Sequence, residues 1–160
     1  MKIKKDPIKV HRTAEGTAFE VAFAVLAVVV WALVIWMISR APDVIVTHFD
    51  GYGRPNGYGS PWGLLFPCVI LTVVGGCLLL GAYFPHTLNM PVEVKTPRQY
   101  ELLIRMTRIS ALVFLLLTLS IPSILLLFSH PTLWPVLGSL GLLFAVIIYY
   151  CVMIHRARLR

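Results

Sequence analysis

The sequence contains four long apolar runs, at about residues 18–38, 62–84, 109–128 and 133–154. Each run is about as long as a membrane-spanning helix, and none alternates with the two-residue period of a barrel strand. Because a helix satisfies its own backbone hydrogen bonds in lipid, helices are the structure expected for all four. The sequence therefore predicts an all-α polytopic membrane protein. It has a basic tail at residues 1–17 and a single four-helix membrane domain at residues 18–160.

The first run is not expected to be a cleaved leader. It exceeds the 7–15 apolar residues of a signal-peptide core, so we expect an uncleaved first helix.

The basic residues indicate how the chain is oriented. Twelve of the 14 lysines and arginines precede the first run, lie between the second and third, or follow the fourth. The positive-inside rule then predicts cytoplasmic termini, a cytoplasmic loop at 85–106 and an outer loop at 41–60. Since orientation and anionic lipid explain the positive charge, we expect the lipid bilayer as a partner and no nucleic acid.

Two helix starts can be recognised from capping residues. Ser60 followed by Pro61 is typical of a helix beginning, with Ser60 as the N-cap. Thr96, Pro97 and Gln99 have the spacing of a capping box, so the third helix is predicted to begin at Pro97.

Side-chain contacts of the helices can be predicted from spacing alone. Glu101 and Arg105 are four residues apart, in the order that favours an ion pair on a helix. Small residues four apart allow helices to approach closely. We therefore expect packing faces at Thr72-x-x-x-Gly76, Cys77-x-x-x-Gly81 and Gly141-x-x-x-Ala145.

The outer loop carries the most specific stretch of the chain, "THFDGYGRPNGYGS", from Thr47 to Ser60. The β-branched residues before it favour an extended arm, and its Gly, Pro, Asn and Asp residues favour turns. We expect a short hairpin-like loop in which Gly57 and Gly59 adopt positive φ. Its structural residues are predicted to be Pro42, Gly53, Pro55, Gly57, Gly59 and Ser60.

A metal site is one hypothesis for this loop. His48 and Asp50 share a face of an extended arm, and His130 lies in the other outer turn, so the three form a plausible zinc set. The simpler interpretation, which we favour, is that His48 and Asp50 hydrogen-bond the backbone of their own loop. We expect no metal, no cofactor and no enzyme activity, since no nucleophile with a base and no pair of carboxylates stands out.

Three function classes remain open. The first is a binding or sensing protein, whose loop contacts a peptide, a lipid headgroup or a partner subunit. The second is a small transporter or channel component, and the third is an outer-face metalloenzyme. The candidate contact residues of the first are His48, Phe49, Asp50, Tyr52, Arg54, Asn56 and Tyr58, with the three aromatic side chains predicted at headgroup level. The second would use a polar path along the third helix, at Thr107, Ser110, Thr118, Ser120 and Ser123. We consider hydrogen bonding between helices a better explanation of these hydroxyls.

The outer loop resembles the signature of a bacterial membrane domain of unknown function, found at the N-terminus of the immunity protein for the sporulation-delaying killing peptide. The family pattern is Pro-Asp, Ile-Pro-x-His-Phe/Trp-Asn/Asp, then Gly-x-Pro-Asp/Asn-Gly-Tyr/Trp-Gly-Ser-Lys. The chain departs from it at Val46, where the family has proline, and at Pro61, where it has lysine. The matching residues are Pro42, Asp43, Ile45, His48, Phe49, Asp50, Gly53, Pro55, Asn56, Gly57, Tyr58, Gly59 and Ser60.

The resemblance implies a protein of the bacterial inner (plasma) membrane and supplies no enzyme activity. The immunity member protects its host from a membrane-active peptide and relays that signal by sequestering a repressor. By analogy, an extracytoplasmic peptide or a membrane partner is the expected ligand, and a homo-oligomer is left open.

Overall fold

A computed structural model describes residues 10–52, 54–126 and 133–157 of the chain. These residues form four long helices and one antiparallel hairpin, with short 3-10 turns at Pro61–Leu64 and Pro85–Thr87. All four helices are long and apolar enough to cross a membrane, which confirms the predicted fold class. The order is α1 (Ala14–Ser39), β1 (Ile45–Phe49), β2 (Pro55–Gly59), α2 (Leu65–Gly81), α3 (Pro97–Leu126) and α4 (Trp134–Arg156).

Both predicted capping sites are confirmed. The Ser60 hydroxyl accepts a hydrogen bond from the Trp62 N–H at 3.4 Å, at the start of the 3-10 turn that leads into α2. Thr96 Oγ1 accepts from the Gln99 N–H at 3.3 Å, and Gln99 Oε1 accepts from the Thr96 N–H at 3.0 Å. Gln99 is fully buried and also donates to the Ile154 carbonyl at 3.0 Å, so the start of α3 is fixed against the end of α4.

The first helix begins at Ala14, four residues before the apolar run that predicted it. Thr13 caps it, since its hydroxyl accepts from the Gly16 N–H at 3.0 Å. Glu15 in the first turn is favourable there because a carboxylate complements the positive end of the helix dipole.

Helix α3 occupies the centre of the bundle and contacts each of the other three helices. In its apolar part 61% of the residues are buried, against 22%, 17% and 6% in α1, α2 and α4. The outward side chains of those three helices include large exposed hydrophobic residues such as Val28, Phe66 and Phe144. Exposed apolar surface of this extent is stable against hydrocarbon rather than water, so these faces are the lipid-contacting surface.

Two apolar clusters hold the bundle together at its opposite ends. At the end that carries the hairpin, α1, β1, α2 and α3 meet through Val30, Val34, Ile38, Ile45, Leu64, Cys68 and Leu115. At the other end, α3 and α4 meet through Leu102, Leu103, Met106 and Ile154.

Gly75 is the residue that lets three helices meet. A Cβ there would lie 3.1 Å from the Ala111 carbonyl oxygen on α3 and 3.2 Å from the Phe23 ring on α1. The predicted packing face Thr72-x-x-x-Gly76 is confirmed at Thr72, whose hydroxyl bonds to side chains of α1 and α3. It is wrong at Gly76, where a Cβ would meet no neighbouring described atom within 4 Å. One residue step turns the helix by about 100°, so only one glycine of the pair faces the neighbours. Three other residues of the predicted packing faces are exposed: Cys77, Gly141 and Ala145.

Candidate functional site

The predicted outer loop is a hairpin with an irregular register. Ile45 pairs with Gly59 and Val46 with Tyr58, but His48 pairs with Gly57 and Phe49 with Pro55. One extra residue therefore bulges from β1 at Thr47, and one from β2 at Asn56. Paired bulges of this kind re-aim side chains at the end of a ribbon.

Asp50 closes the tip of the hairpin. Its Oδ1 accepts from the N–H groups of Tyr52 and Arg54, at 2.9 and 2.8 Å, and its own N–H donates to the Arg54 carbonyl at 2.9 Å. The prediction that Asp50 bonds its own loop is confirmed. Gly53, predicted as a structural residue of this tip, lies outside the described residues.

His48 contacts a side chain rather than the backbone. Its Nδ1 lies 2.5 Å from Asn56 Oδ1 on the opposite strand. Since an amide oxygen only accepts, Nδ1 carries the proton in this pair. The contact ties the two bulged segments together next to the tip.

Close strand approach explains the glycine at position 57 and favours the one at 59, and the prediction of positive φ is wrong. Neither Gly57 nor Gly59 has its backbone in the left-handed region. A Cβ at Gly57 would lie 2.8 Å from the Cβ of His48, and one at Gly59 would lie 3.3 Å from the Thr47 methyl group. The register shift brings His48 directly opposite Gly57, where no side chain fits.

The hairpin is anchored to the bundle by its first strand residue. Ile45 is buried in the apolar cluster with residues of α1, α2 and α3.

The tip of the hairpin, by contrast, presents polar and aromatic groups outward. Tyr52 and Tyr58 are 88% and 66% exposed, and the Arg54 guanidinium lies 5.6 Å from the Tyr52 ring centroid. Phe49 is half-buried, and Pro42 and Pro55 are exposed.

The metal hypothesis involves residues that already have hydrogen-bond partners. His48 is bonded to Asn56, and Asp50 accepts two backbone N–H groups. His130 lies outside the described residues, so the three-residue zinc set stays a prediction. Within residues 10–52, 54–126 and 133–157, no three His, Cys, Asp or Glu side chains are grouped to hold a metal ion.

The hydroxyl row of α3 does not form one polar path. By helical spacing Ser120 and Ser123 point away from the side that carries Thr107 and Thr118. Four of the five hydroxyls donate to carbonyls of α3 itself, at 2.7–2.9 Å. Within the described part of the chain, Thr118 alone of the five also forms a side-chain hydrogen bond to another helix, with the Thr72 hydroxyl 3.5 Å away. The transport alternative therefore loses the observation on which it depended, and the predicted hydrogen bonding between helices holds for Thr118 alone.

A charged cluster at the other end of the bundle was missed by sequence reasoning. The Glu20 carboxylate accepts hydrogen bonds from the Arg12 guanidinium and the Tyr83 hydroxyl. The Arg108 guanidinium lies 5.7 Å from the Tyr83 ring centroid. The hydrogen bond to Glu20 raises the pKa of Tyr83 above its ordinary value. The signal was Glu20 itself, the one charged residue within the first apolar run.

Arg108 is the most buried charge of this cluster. Only 4% of it is exposed, and its Nη2 finds no hydrogen-bond partner within the described ranges. Gly16 makes room for it, since a Cβ there would lie 2.6 Å from Nη2. Next to it, Arg105 binds Glu15 through two bonds of 2.8 and 3.0 Å. The predicted pair between Arg105 and Glu101 is therefore wrong, and Glu101 pairs with Arg98.

The comparisons with known proteins concern the hairpin and the helices on either side of it. A family model described as a domain of unknown function (DUF1648) matches residues 25–72, which run from α1 through the hairpin into α2. The matched residues do not include α3, α4 or the charged cluster. No curated protein and no solved structure matches the chain.

Proposed function

We propose that the protein is a binding or sensing protein of the bacterial plasma membrane, whose hairpin contacts an extracytoplasmic peptide. The observation that carries this proposal is the exposed tip, where Tyr52, Arg54 and Tyr58 project from a fixed frame. The proposed activity is binding, and no residue is assigned a catalytic step.

The chemistry of the tip supports a contact with protein. Tyrosine and arginine are over-represented among the residues that dominate binding energy at protein interfaces. The Arg54 guanidinium lies over the Tyr52 ring, and this cation–π contact favours one position of the arginine before any partner arrives.

The rigidity of the hairpin supports the same proposal. Asp50 fixes the tip, the contact between His48 and Asn56 ties the strands, and Ile45 fixes the whole hairpin to the bundle. A preorganised element loses less conformational entropy when it binds. A hairpin with these internal contacts is suited to recognition.

The ligand class is proposed by analogy with the family that the outer loop resembles. The immunity protein that carries a similar domain protects its host from a membrane-active peptide, so a peptide of this type is the proposed ligand here. The hairpin is proposed to face outward, since the basic loop between the second and third spans and both termini would then lie in the cytoplasm.

The experiment is photo-cross-linking in growing bacteria. A benzoylphenylalanine is placed at Tyr52, at Tyr58 or, as the control, at Trp134, an exposed aromatic residue at the start of α4. We expect peptide adducts from positions 52 and 58 that are absent from position 134 and that weaken when Arg54 is replaced by alanine. Lipid adducts of equal yield at all three positions would show that the hairpin only rests on the membrane surface, contrary to the proposal.

A further inference from the structure

A cavity of about 320 Å³ opens between α2 and α4 over the middle helix α3. We call it the lateral cavity. Val74 and Leu78 line it on the α2 side, Leu143 and Ile147 on the α4 side, and Asn89 of the loop after α2 lies at its rim. Because both walls belong to membrane-spanning helices with lipid-facing outer surfaces, the cavity lies within reach of the surrounding lipid.

The floor of the lateral cavity is a single face of α3. Leu103, Met106, Thr107, Ser110 and Phe114 line it and are spaced by three or four residues. All but Thr107 and Ser110 are apolar, and the Thr107 hydroxyl is already bonded to the Leu103 carbonyl at 2.9 Å.

Ser110 is the exception among the α3 hydroxyls. It is 5% exposed, and its Oγ has no hydrogen-bond partner in the part of the chain that the structure describes. The other four hydroxyls of the row donate to carbonyls of their own helix. A buried hydroxyl without a partner at the floor of an apolar cavity requires an explanation, and a bound group that accepts its proton supplies one.

The position of Ser110 along α3 restricts what that group can be. Arg108 is the last charged residue of the helix, and Ser110 lies two residues further on, about 3 Å deeper along the axis. This is the level at which charged side chains give way to hydrocarbon. In a bilayer the ester carbonyls of glycerolipids lie at that same boundary, between the headgroups and the acyl chains.

The volume and the lining residues of the lateral cavity fit an acyl chain better than they fit other occupants. A single water molecule at Ser110, which occupies about 30 Å³ in the liquid, would leave most of this mainly apolar cavity of about 320 Å³ unfilled. A helix, which is about 10 Å across, is too wide for a cavity at the lower end of the ligand-pocket range of about 300–1,000 Å³. A flexible hydrocarbon chain fits both the shape and the apolar walls.

We propose that the lateral cavity binds the ester-linked acyl chain of a glycerophospholipid from the leaflet next to the chain termini, with Ser110 donating a hydrogen bond to the ester carbonyl. The chain lies against Val74 and Phe114, and the headgroup lies near Asn89. The proposal concerns the acyl chain and its ester, because the exposed cations at this end of the bundle, Lys95 and Arg98, are already paired with Glu93 and Glu101. This binding site is independent of the hairpin.

The test uses the purified protein in nanodiscs that contain phosphatidylglycerol with a photoactivatable diazirine on one acyl chain. One probe is ester-linked and its twin is ether-linked, so that only the first offers a carbonyl. Labelled peptides are mapped by mass spectrometry. We expect labels to concentrate on the segments that line the cavity, with several-fold more from the ester probe than from the ether probe.

Matched variants separate the cavity from the general lipid surface. Val74→Phe fills the cavity and is expected to reduce this labelling several-fold. Val73→Phe adds the same ring at the neighbouring exposed position and leaves the labelling unchanged. Ser110→Ala, which removes one oxygen and tests the proposal even if Val74→Phe does not fold, makes the two probes equal. Circular dichroism checks the fold of each variant.

Three results would overturn the proposal. The first is labelling spread evenly over the outward faces of α1 and α4 and unaffected by Val74→Phe. The second is a preference for the ester probe that persists in Ser110→Ala. The third is equal labelling of the cavity segments by the ester and ether probes in the wild type.

Discussion

The Tyr83 hydroxyl donates a hydrogen bond to the Glu20 carboxylate, across 63 positions of the chain. This bond joins α1 to the segment that follows α2, and the Arg108 guanidinium over the Tyr83 ring adds α3 to the same contact. Three helices are therefore held together by charge and hydrogen bonding at the end opposite the hairpin. Ionisable groups near hydrocarbon are stable only in such partnerships.

Removal of the Glu20 carboxylate should destabilise the bundle. In Glu20→Ala, the Tyr83 hydroxyl loses its acceptor and the buried Arg108 loses a nearby negative charge. We expect a lower melting temperature than that of the wild type, because both groups lose a favourable partner. Thermal unfolding in detergent, followed by circular dichroism, measures the change.

Glu101→Ala is the matched control for that variant. Glu101 pairs with Arg98 on the surface, where the two side chains are 61% and 62% exposed. Exposed pairs contribute about 0–1 kcal/mol, so this variant should unfold close to the wild type. If Glu20→Ala and Glu101→Ala lost the same amount of thermal stability, a structural role for the charged cluster would be contradicted.

The raised pKa of Tyr83 predicts that the stability of the folded protein changes with pH in the alkaline range. The folded protein holds the phenol proton more tightly than the unfolded chain, whose tyrosine titrates near about 10. The contribution of this proton to stability is therefore complete below about pH 10 and is lost as the pH rises through the higher folded value. Melting temperatures measured from pH 8 to 11 should fall more steeply for the wild type than for Tyr83→Phe, and parallel curves would disprove the assignment.

Local signals in the sequence were sufficient for the helices and the hairpin tip. Ser60, Thr96 and Gln99 cap helices through partners two to four residues away, and Asp50 closes a turn in the same way. Such contacts depend on near neighbours in the chain, so their residue types and spacing reveal them. Long apolar runs are equally local, which explains why the four-helix class was predicted.

Contacts between distant segments were not predictable in the same way. Arg105 binds Glu15, 90 positions away, instead of Glu101, because the rotation of α3 in the bundle directs it toward α1. Gly75 rather than Gly76 meets the neighbouring helices for the same reason. The spacing of residues in one helix does not fix its rotation, which depends on all the helices packed together.

The variant Gly57→Ala tests whether the two strands of the hairpin lie too close together for a side chain at position 57. In Gly57→Ala the new Cβ would lie 2.8 Å from the Cβ of His48, so the strands must separate and the contact between His48 and Asn56 is disturbed. We expect the free energy of unfolding to fall by about 1–3 kcal/mol, as it does when extra atoms are forced into other well-packed sites. Gly51→Ala, where the added Cβ meets no described atom within 4 Å, is the control and should melt within about 1 °C of the wild type. If both variants melt alike, close strand approach is not the reason for glycine at position 57.

The orientation of the protein can be decided by labelling two single cysteines. Twelve of 14 basic residues lie before the first apolar run, between the second and third runs or after the fourth, and this asymmetry predicts that these segments are cytoplasmic. Arg54→Cys and Lys95→Cys place thiols at exposed positions on opposite sides of the membrane, in a chain whose Cys68, Cys77 and Cys151 are replaced by alanine. A membrane-impermeant maleimide should label position 54 in intact cells and position 95 only after the membrane is permeabilised. Equal labelling of both after permeabilisation shows that each thiol is reactive. The reverse pattern in intact cells would place the hairpin in the cytoplasm, and the proposed contact with an extracytoplasmic peptide would then be wrong.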